Sequence, residues 1–280
     1  MTGPLTAGAL AEAWKRDCDA HRRWVDAGNP VPDALRALVS RGTSTAPRVT
    51  PLSPSALEPA PSTATFERLE AFGALVLEAN KSLNLVSRRD PAAQIATNIL
   101  DSLPFAAIWD DVSRETGPDD EPPLFVLDAG SGSGVPGIPM QLLLAERGVA
   151  PALLLVESRG HKADFLDGCL DALSLERAGV WGGRLEDPSL PEWLEDEGWT
   201  APGCLVTRAL ASVVETLHWT RGLTADEWLN RACLLKGAPG LAREWADEGK
   251  RWTKTGWRWP GIVVFQACDR PLCLLRGDRS

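Results

Sequence analysis

The chain has 280 residues, 44% of them hydrophobic, and a formal net charge of −9. That is ample apolar material for a full core, and no apolar run approaches the ~20 residues of a membrane-spanning helix. The acidic balance excludes nucleic-acid binding through bulk positive charge and leaves room only for a local basic face.

The first residues, MTGPLTAGALAEAWKRD, lack a basic segment before an apolar one, so no secretory signal is expected and the protein reads as cytoplasmic. Six cysteines, at 18, 169, 204, 233, 268 and 273, form no CxxC and read as small hydrophobes in a reducing compartment. No metal site is expected.

Residues 1–41 read as a helical extension. Leu10, Trp14 and Cys18 recur every four positions, with Lys15, Arg16, Arg22 and Arg23 alongside, until Pro30 and Pro32 break the pattern. Two uses are open, an RNA- or partner-contacting appendage and a surface decoration; mixed charge favours the second. Residues 42–63 are rich in proline, serine and threonine and read as an extended, mobile linker. A helix is expected from about Thr65, with Phe66, Leu69, Phe72, Leu75, Val76 and Leu77 as its apolar stripe. Asp90-Pro91 is a cap-and-start pair for a next helix carrying Ile95, Ile99, Leu100 and Leu103. An acidic, proline-rich loop is expected at Asp111 to Pro123, closing the helical part (64–123) of a domain spanning 64–280.

From Leu124 the pattern changes to alternation. Strands are expected at 124–127, 152–156, 179–181, 204–207 and 232–235, separated by helical runs, with a closing hairpin from 262–267 and 272–275. Apolar strands alternating with helices predict an α/β fold, a mostly parallel seven-stranded sheet covered on both faces. Ligands of such sheets sit beyond the carboxyl ends of the strands. Asp128, Glu157, Arg184 to Asp187, Arg208 and Lys236 all fall there.

The organising stretch is LFVLDAGSGSGVPGIPM, 124–140: a strand, a glycine turn and a helix start. Gly132-x-Gly134-x-x-Gly137 fits a dinucleotide loop, which is weak alone. Asp128-x-Gly130-x-Gly132-x-Gly134 also fits motif I of S-adenosylmethionine (SAM) methyltransferases. SAM is favoured because an acid at the strand end suits a cationic ligand and repels a pyrophosphate. Glu157, ending the next strand, can accept both hydroxyls of a ribose from either cofactor.

The stretches 84–103 (NLVSRRDPAAQIATNILDSL), 126–139, 156–166, 183–187 (GRLED), 207–212 (TRALAS) and 234–237 (LLKG) together resemble the family of glucose-inhibited division protein B, the bacterial small-subunit ribosomal RNA methyltransferase G. The resemblance runs from about Phe66 to the end. It implies a Rossmann-like class I methyltransferase fold, SAM as cofactor, and methylation of a guanine N7 in 16S ribosomal RNA of the small subunit. It further implies that Gly130 and Val135 contact SAM, that Leu185 and Glu186 hold its adenine end, and that Arg208 lies by cofactor and RNA. Arg270 also fits a family position. Reading the residues adds Asp128, Gly132 and Gly134 for the methionine part and Glu157 for the ribose. Guanine N7 already carries a lone pair, so no general base is required. Arg208 and Lys236 are the catalytic candidates, as cations for guanine O6 or phosphates.

The stretch Lys250, Arg251, Trp252, Lys254, Trp257, Arg258, Trp259 offers phosphate binding and base stacking, or an outer strand with tryptophans turned inward, which is favoured slightly. His21, His161 and His218 read as surface residues without a catalytic role. A monomer is expected. Two competing readings stand: a methyltransferase of the same fold for a small molecule or protein, and a SAM-binding assembly protein without turnover.

Overall fold

The computed structural model describes residues 5–28, 31–40, 47–114, 123–149, 151–208, 210–252 and 254–279. Ten helices occur among them: α1 (Ala7–Asp26), α2 (Asp33–Ser40), α3 (Thr63–Leu83), α4 (Pro91–Arg114), α5 (Gly137–Glu146), α6 (Gly160–Ala172), α7 (Leu190–Asp196), α8 (Val213–Trp219), α9 (Arg221–Ala225) and α10 (Ala238–Trp252). The strands are β1 (Arg48–Pro51), β2 (Phe125–Ala129), β3 (Ala152–Val156), β4 (Ala178–Trp181), β5 (Gly203–Arg208), β6 (Leu229–Gly237), β7 (Trp257–Gln266) and β8 (Pro271–Arg279). They form one sheet in the order β1-β7-β8-β6-β5-β2-β3-β4. Every pairing is parallel except those of β8 with β6 and β7.

Both faces of the sheet are covered, because the strands are apolar on both sides. Val126, Val206, Leu235 and Val263 face a cluster built with Leu10 of α1, Phe66 and Phe72 of α3, Ile99 of α4, Met140 of α5 and Leu166 of α6. Leu127, Leu205, Leu234 and Ile262 face the other cluster, with Leu35 of α2, Leu194 of α7, Val213 of α8 and Leu241 and Trp252 of α10. Each fully buried side chain of this kind contributes about 1.5–3 kcal/mol.

The caps follow the sequence. Asp90 Oδ1 accepts the Ala93 N–H at 3.1 Å and starts α4. Asn84 ends α3 at φ 52°, a left-handed position that asparagine tolerates. Asn80 Oδ1 then accepts the Leu85 and Val86 N–H groups at 2.7 and 2.9 Å and folds the chain toward α4.

Four expectations change. The sheet has eight strands, because Arg48–Pro51, inside the stretch read as a linker, pairs with β7 as a parallel edge strand. A short 3-10 turn follows at Pro54–Leu57, with Leu57 buried, so residues 47–63 are laid against the core; 42–46 lie outside the described residues. Helix α4 continues to Arg114, into the expected loop 111–123, of which 115–122 lie outside the described residues. His21 is fully buried rather than on the surface. Its Nε2 pairs with the Leu52 carbonyl (2.8 Å) and its Nδ1 accepts the Gln266 N–H (3.1 Å), so both polar atoms have partners. Burial holds its pKa below the ordinary histidine value.

The tryptophans of the basic-aromatic stretch do point inward: Trp252, Trp257 and Trp259 are buried. They lie at the end of α10 and the start of β7, at the amino ends of the parallel strands. Five cysteines are buried and Cys268 is exposed, all six free. No helix among the described residues is long and apolar enough to cross a membrane.

Candidate functional site

Strand β2 lies between β5 and β3, so the chain leaves it toward β3 and β4 and later returns on its other side through β5. A crevice opens beyond the carboxyl ends of strands where the order reverses in this way. Here a cleft of about 510 Å³ is lined by Gly130, Gly132, Glu157, Arg159, Lys162, Leu185, Glu186, Arg208 and Leu210, among others. A larger hollow, about 690 Å³, lies at the opposite ends of the strands between Phe125, Trp193 and Trp199. Its acids, Asp167, Glu176 and Glu197, lie on helices and loops, whereas the smaller cleft brings the 130–134 turn and a strand-end carboxylate together and is the candidate site.

The glycine turn is pinned to β3. Gly130 and Ser131 N–H both donate to the Val156 carbonyl, at 2.9 and 3.0 Å. Ser131 Oγ donates to the Asp128 carbonyl at 2.8 Å. Gly130 sits at φ +68°, and a Cβ there would stand 2.3 Å from Leu210 Cδ1. The backbone therefore demands glycine, and a side chain there would also push Leu210 aside. Glu157 anchors the facing side: its Oε2 accepts Gly132 N–H (3.1 Å) and its Oε1 accepts Arg159 N–H (2.9 Å). Each oxygen keeps a further lone pair toward the cleft. Trp181 Nε1 donates to the Arg184 carbonyl at 3.1 Å and fixes the turn that presents Leu185 and Glu186.

Asp128 sits differently from the expectation that it meets the ligand. It is fully buried, and its Oδ2 accepts the Gly137 N–H at 2.9 Å beneath the turn. A Cβ at 137 would lie 2.8 Å from that same oxygen. Asp128 Oδ1 has no hydrogen-bond partner among the described residues. Burial pushes its pKa up to about 7, opposed by the Gly137 N–H and reinforced by the charge of Glu157. Asp128 thus joins the turn to the start of α5 and is absent from the cleft lining. Gly134 and Val135 are absent from the lining too: Gly134 lies against Ile138, Leu166 and Phe72, and Val135 packs on the apolar cluster of α3 and α4.

Arg208 lines the cleft, and its Nη2 donates to Asp101 Oδ2 at 3.1 Å. Arg270, in the β7–β8 turn, donates to Asp101 Oδ1 and to Asp269 (2.7 Å). Burial raises the Asp101 pKa, and the guanidiniums of Arg270 and then Arg208 pull it back. Asp101 had no role in the sequence reading. The available signal was a lone acid in the middle of a helix apolar on nearly all sides, which needs a partner to be buried. Lys236 is held elsewhere: it donates to the Ala211 carbonyl and to Glu244 (2.9 Å), outside the cleft lining.

The family model described as GidB, rRNA small subunit methyltransferase G, matches residues 65–273. The chain is 34% identical over 167 residues to the ribosomal RNA small subunit methyltransferase G of Pseudomonas paraeruginosa, an alignment covering 58% of this chain and 66% of that relative. The chain thus spans just under two thirds of that relative's length. It is 32% identical over 191 residues to the protein of the same name from Erythrobacter litoralis, covering 68% of this chain and 80% of the relative. Among solved structures, the METTL16 MTase domain superposes with a TM-score of 0.50 at 14% identity, over 76% of this chain and 81% of that one, a likeness of fold alone. The fold is that of the class I methyltransferases, and the chain belongs to the GidB family, rRNA small subunit methyltransferase G.

Proposed function

We propose that this chain transfers a methyl group from SAM to N7 of a guanine in 16S ribosomal RNA of the small subunit, acting as a cytoplasmic monomer. The observation that carries the reading is the cleft at the β2–β5 switch point, inside the matched family region. There a glycine turn, a strand-end carboxylate and an arginine meet in a space suited to one nucleoside-sized ligand. Residues 64–280 form the methyltransferase unit in this reading, with 1–41 appended.

The residues present fit SAM. Glu157 would hold the ribose hydroxyls through its free lone pairs, and Leu185 and Glu186 the adenine end. Gly130 and Gly132 would let the backbone approach the ligand closely. Asp128, Gly134 and Val135 shape that turn from beneath. SAM supplies an electrophilic methyl group. The base needs only to be presented in line, because N7 gives up no proton. Arg208 would do so, by binding guanine O6 or a neighbouring phosphate. Lys236, through Ala211 and Glu244, supports the loop that carries Leu210 into the cleft lining.

The test is transfer of labelled methyl from SAM to small ribosomal subunits purified from a strain lacking the gene, followed by nucleoside analysis. Labelled 7-methylguanosine is the expected product. Clear SAM binding with no label in ribosomal RNA would refute the RNA substrate.

A further inference from the structure

Helix α1 precedes the matched family residues 65–273, yet it is docked at the carboxyl end of the sheet. Asp17 Oδ1 accepts the Cys268 N–H at 3.0 Å, and the Cys268 thiol donates to the Arg16 carbonyl at 3.4 Å. The helix therefore sits on the β7–β8 turn, two residues from Arg270. Arg16 and Arg23 are both exposed, seven positions apart, and so share one face about 10 Å apart along the axis. Burial and Asp17 raise the Cys268 pKa while Arg16 and Arg23 lower it, so both cations stand beside that turn. Neither arginine makes an ion pair among the described residues. The neighbouring cations of the helix are taken: Lys15 by Asp19, and Arg22 by Asp19 and Glu58. The acids between this face and the cleft are committed as well, while Glu12 and Asp26 lie one turn from Arg16 and Arg23 along the helix. Asp17 holds a backbone N–H, Asp269 pairs with Arg270, and Asp101 is shared by Arg270 and Arg208. From the helix to the cleft the order is Arg16 and Arg23, the turn, Arg270, Asp101, Arg208.

Resting on the ribosomal RNA reading above, we infer that Arg16 and Arg23, on the helix seated over the Arg270 turn, form a phosphate-binding surface that holds the RNA backbone beside the cleft. The basic-aromatic stretch 250–259 is the rival surface in the sequence. Its tryptophans are buried, and it lies at the opposite end of the sheet, so it cannot serve a base presented at Arg208.

The probe is the small ribosomal subunit from a strain lacking the gene, with binding measured against salt concentration for the full-length protein and three double variants. For R16A/R23A the slope of log K against log salt should fall by about 1.4–1.8, because each of the two phosphates no longer neutralised accounts for about 0.7–0.9. At 0.1 M salt this corresponds to roughly 25- to 60-fold weaker binding. SAM affinity and the melting temperature should be unchanged, since alanine is favourable at exposed helix positions. R16K/R23K should restore most of the slope, and K254A/R258A should match the parent. An unchanged slope in R16A/R23A, or an equal drop in K254A/R258A, would overturn the inference while leaving methyl transfer to ribosomal RNA intact. A parent protein that neither binds nor methylates the subunit would overturn the substrate reading and the inference together.

Discussion

Replacing Asp101 by alanine removes the one carboxylate that two arginines share. The Asp101 side chain is 5% exposed, that of Arg208 21% and that of Arg270 34%. Deleting one partner of a fully buried pair costs about 3–5 kcal/mol, because the remaining charge is stranded. Here both guanidiniums can turn toward water, and Arg270 keeps Asp269, so about 2 kcal/mol is expected. For a chain of this size that is a fall in melting temperature of about 3–4 °C. D101N keeps the shape and an acceptor but loses the charge, and should fall between. The informative assay pairs melting with a double-mutant cycle over Asp101 and Arg270, where coupling of about 1 kcal/mol is expected. Methyl transfer measured well below the melting range should drop further in D101A than stability explains, because Arg208 is no longer held in the cleft. A D101A protein that melts within about 1 °C of the parent, with coupling below ~0.3 kcal/mol, would refute the reasoning.

Gly130→Val forces a β-branched residue into φ +68°, a strain of about 1–2 kcal/mol or more, against Leu210. The protein should stay folded and lose SAM binding by calorimetry; normal affinity would remove the turn from the cofactor site. Arg208→Ala should depress methyl transfer far more than melting temperature, and unchanged turnover would mean that Arg208 does not meet the substrate. Lys236→Met should lower the melting temperature with SAM affinity preserved, whereas lost RNA binding at unchanged stability would give Lys236 a direct role. Asp128→Asn probes pH. The Asp128 pKa of about 7 in the folded chain lies above the ordinary 3.8, so ionisation disfavours folding. That penalty appears as pH rises above 3.8 and is complete above about 7. The stability of D128N relative to the parent should therefore climb between those values and level off above them. A difference independent of pH would show that Asp128 is not the buried acid described.

Where a stretch folds by its own pattern, the sequence sufficed. Strand β3 and helix α8 lie where their apolar runs begin and end, and Asp90-Pro91 starts α4 by local capping. Where a residue's state depends on distant partners, it did not. Arg48–Pro51 reads as linker because its strand character comes from pairing with β7, more than 200 residues away. His21 reads as a surface histidine because a lone histidine on a helix usually is one, while its partners are a carbonyl at 52 and an amide at 266. In the site, Gly130, Gly132, Glu157, Leu185, Glu186 and Arg208 meet in one cleft. Asp128 and Lys236 lie at strand ends as expected, but a strand-end position does not say which way a side chain turns. Asp128 goes under the turn and Lys236 toward Glu244.

The contact between His21 and Gln266 spans 245 residues, nearly the whole chain. During synthesis at about 5–20 residues per second, α1 leaves the ribosome roughly 12–50 s before the strand that receives it. Trp14 and His21 end against Phe265, so in that interval they have α3 and Leu52 beside them but lack the ring that closes over them. The final closure over Trp14 and His21 thus waits for the sheet to be completed. A chain truncated before β7 should leave Trp14 and His21 more exposed, and the helix cut faster by proteases than in the full chain, while β2 to β6 are already made.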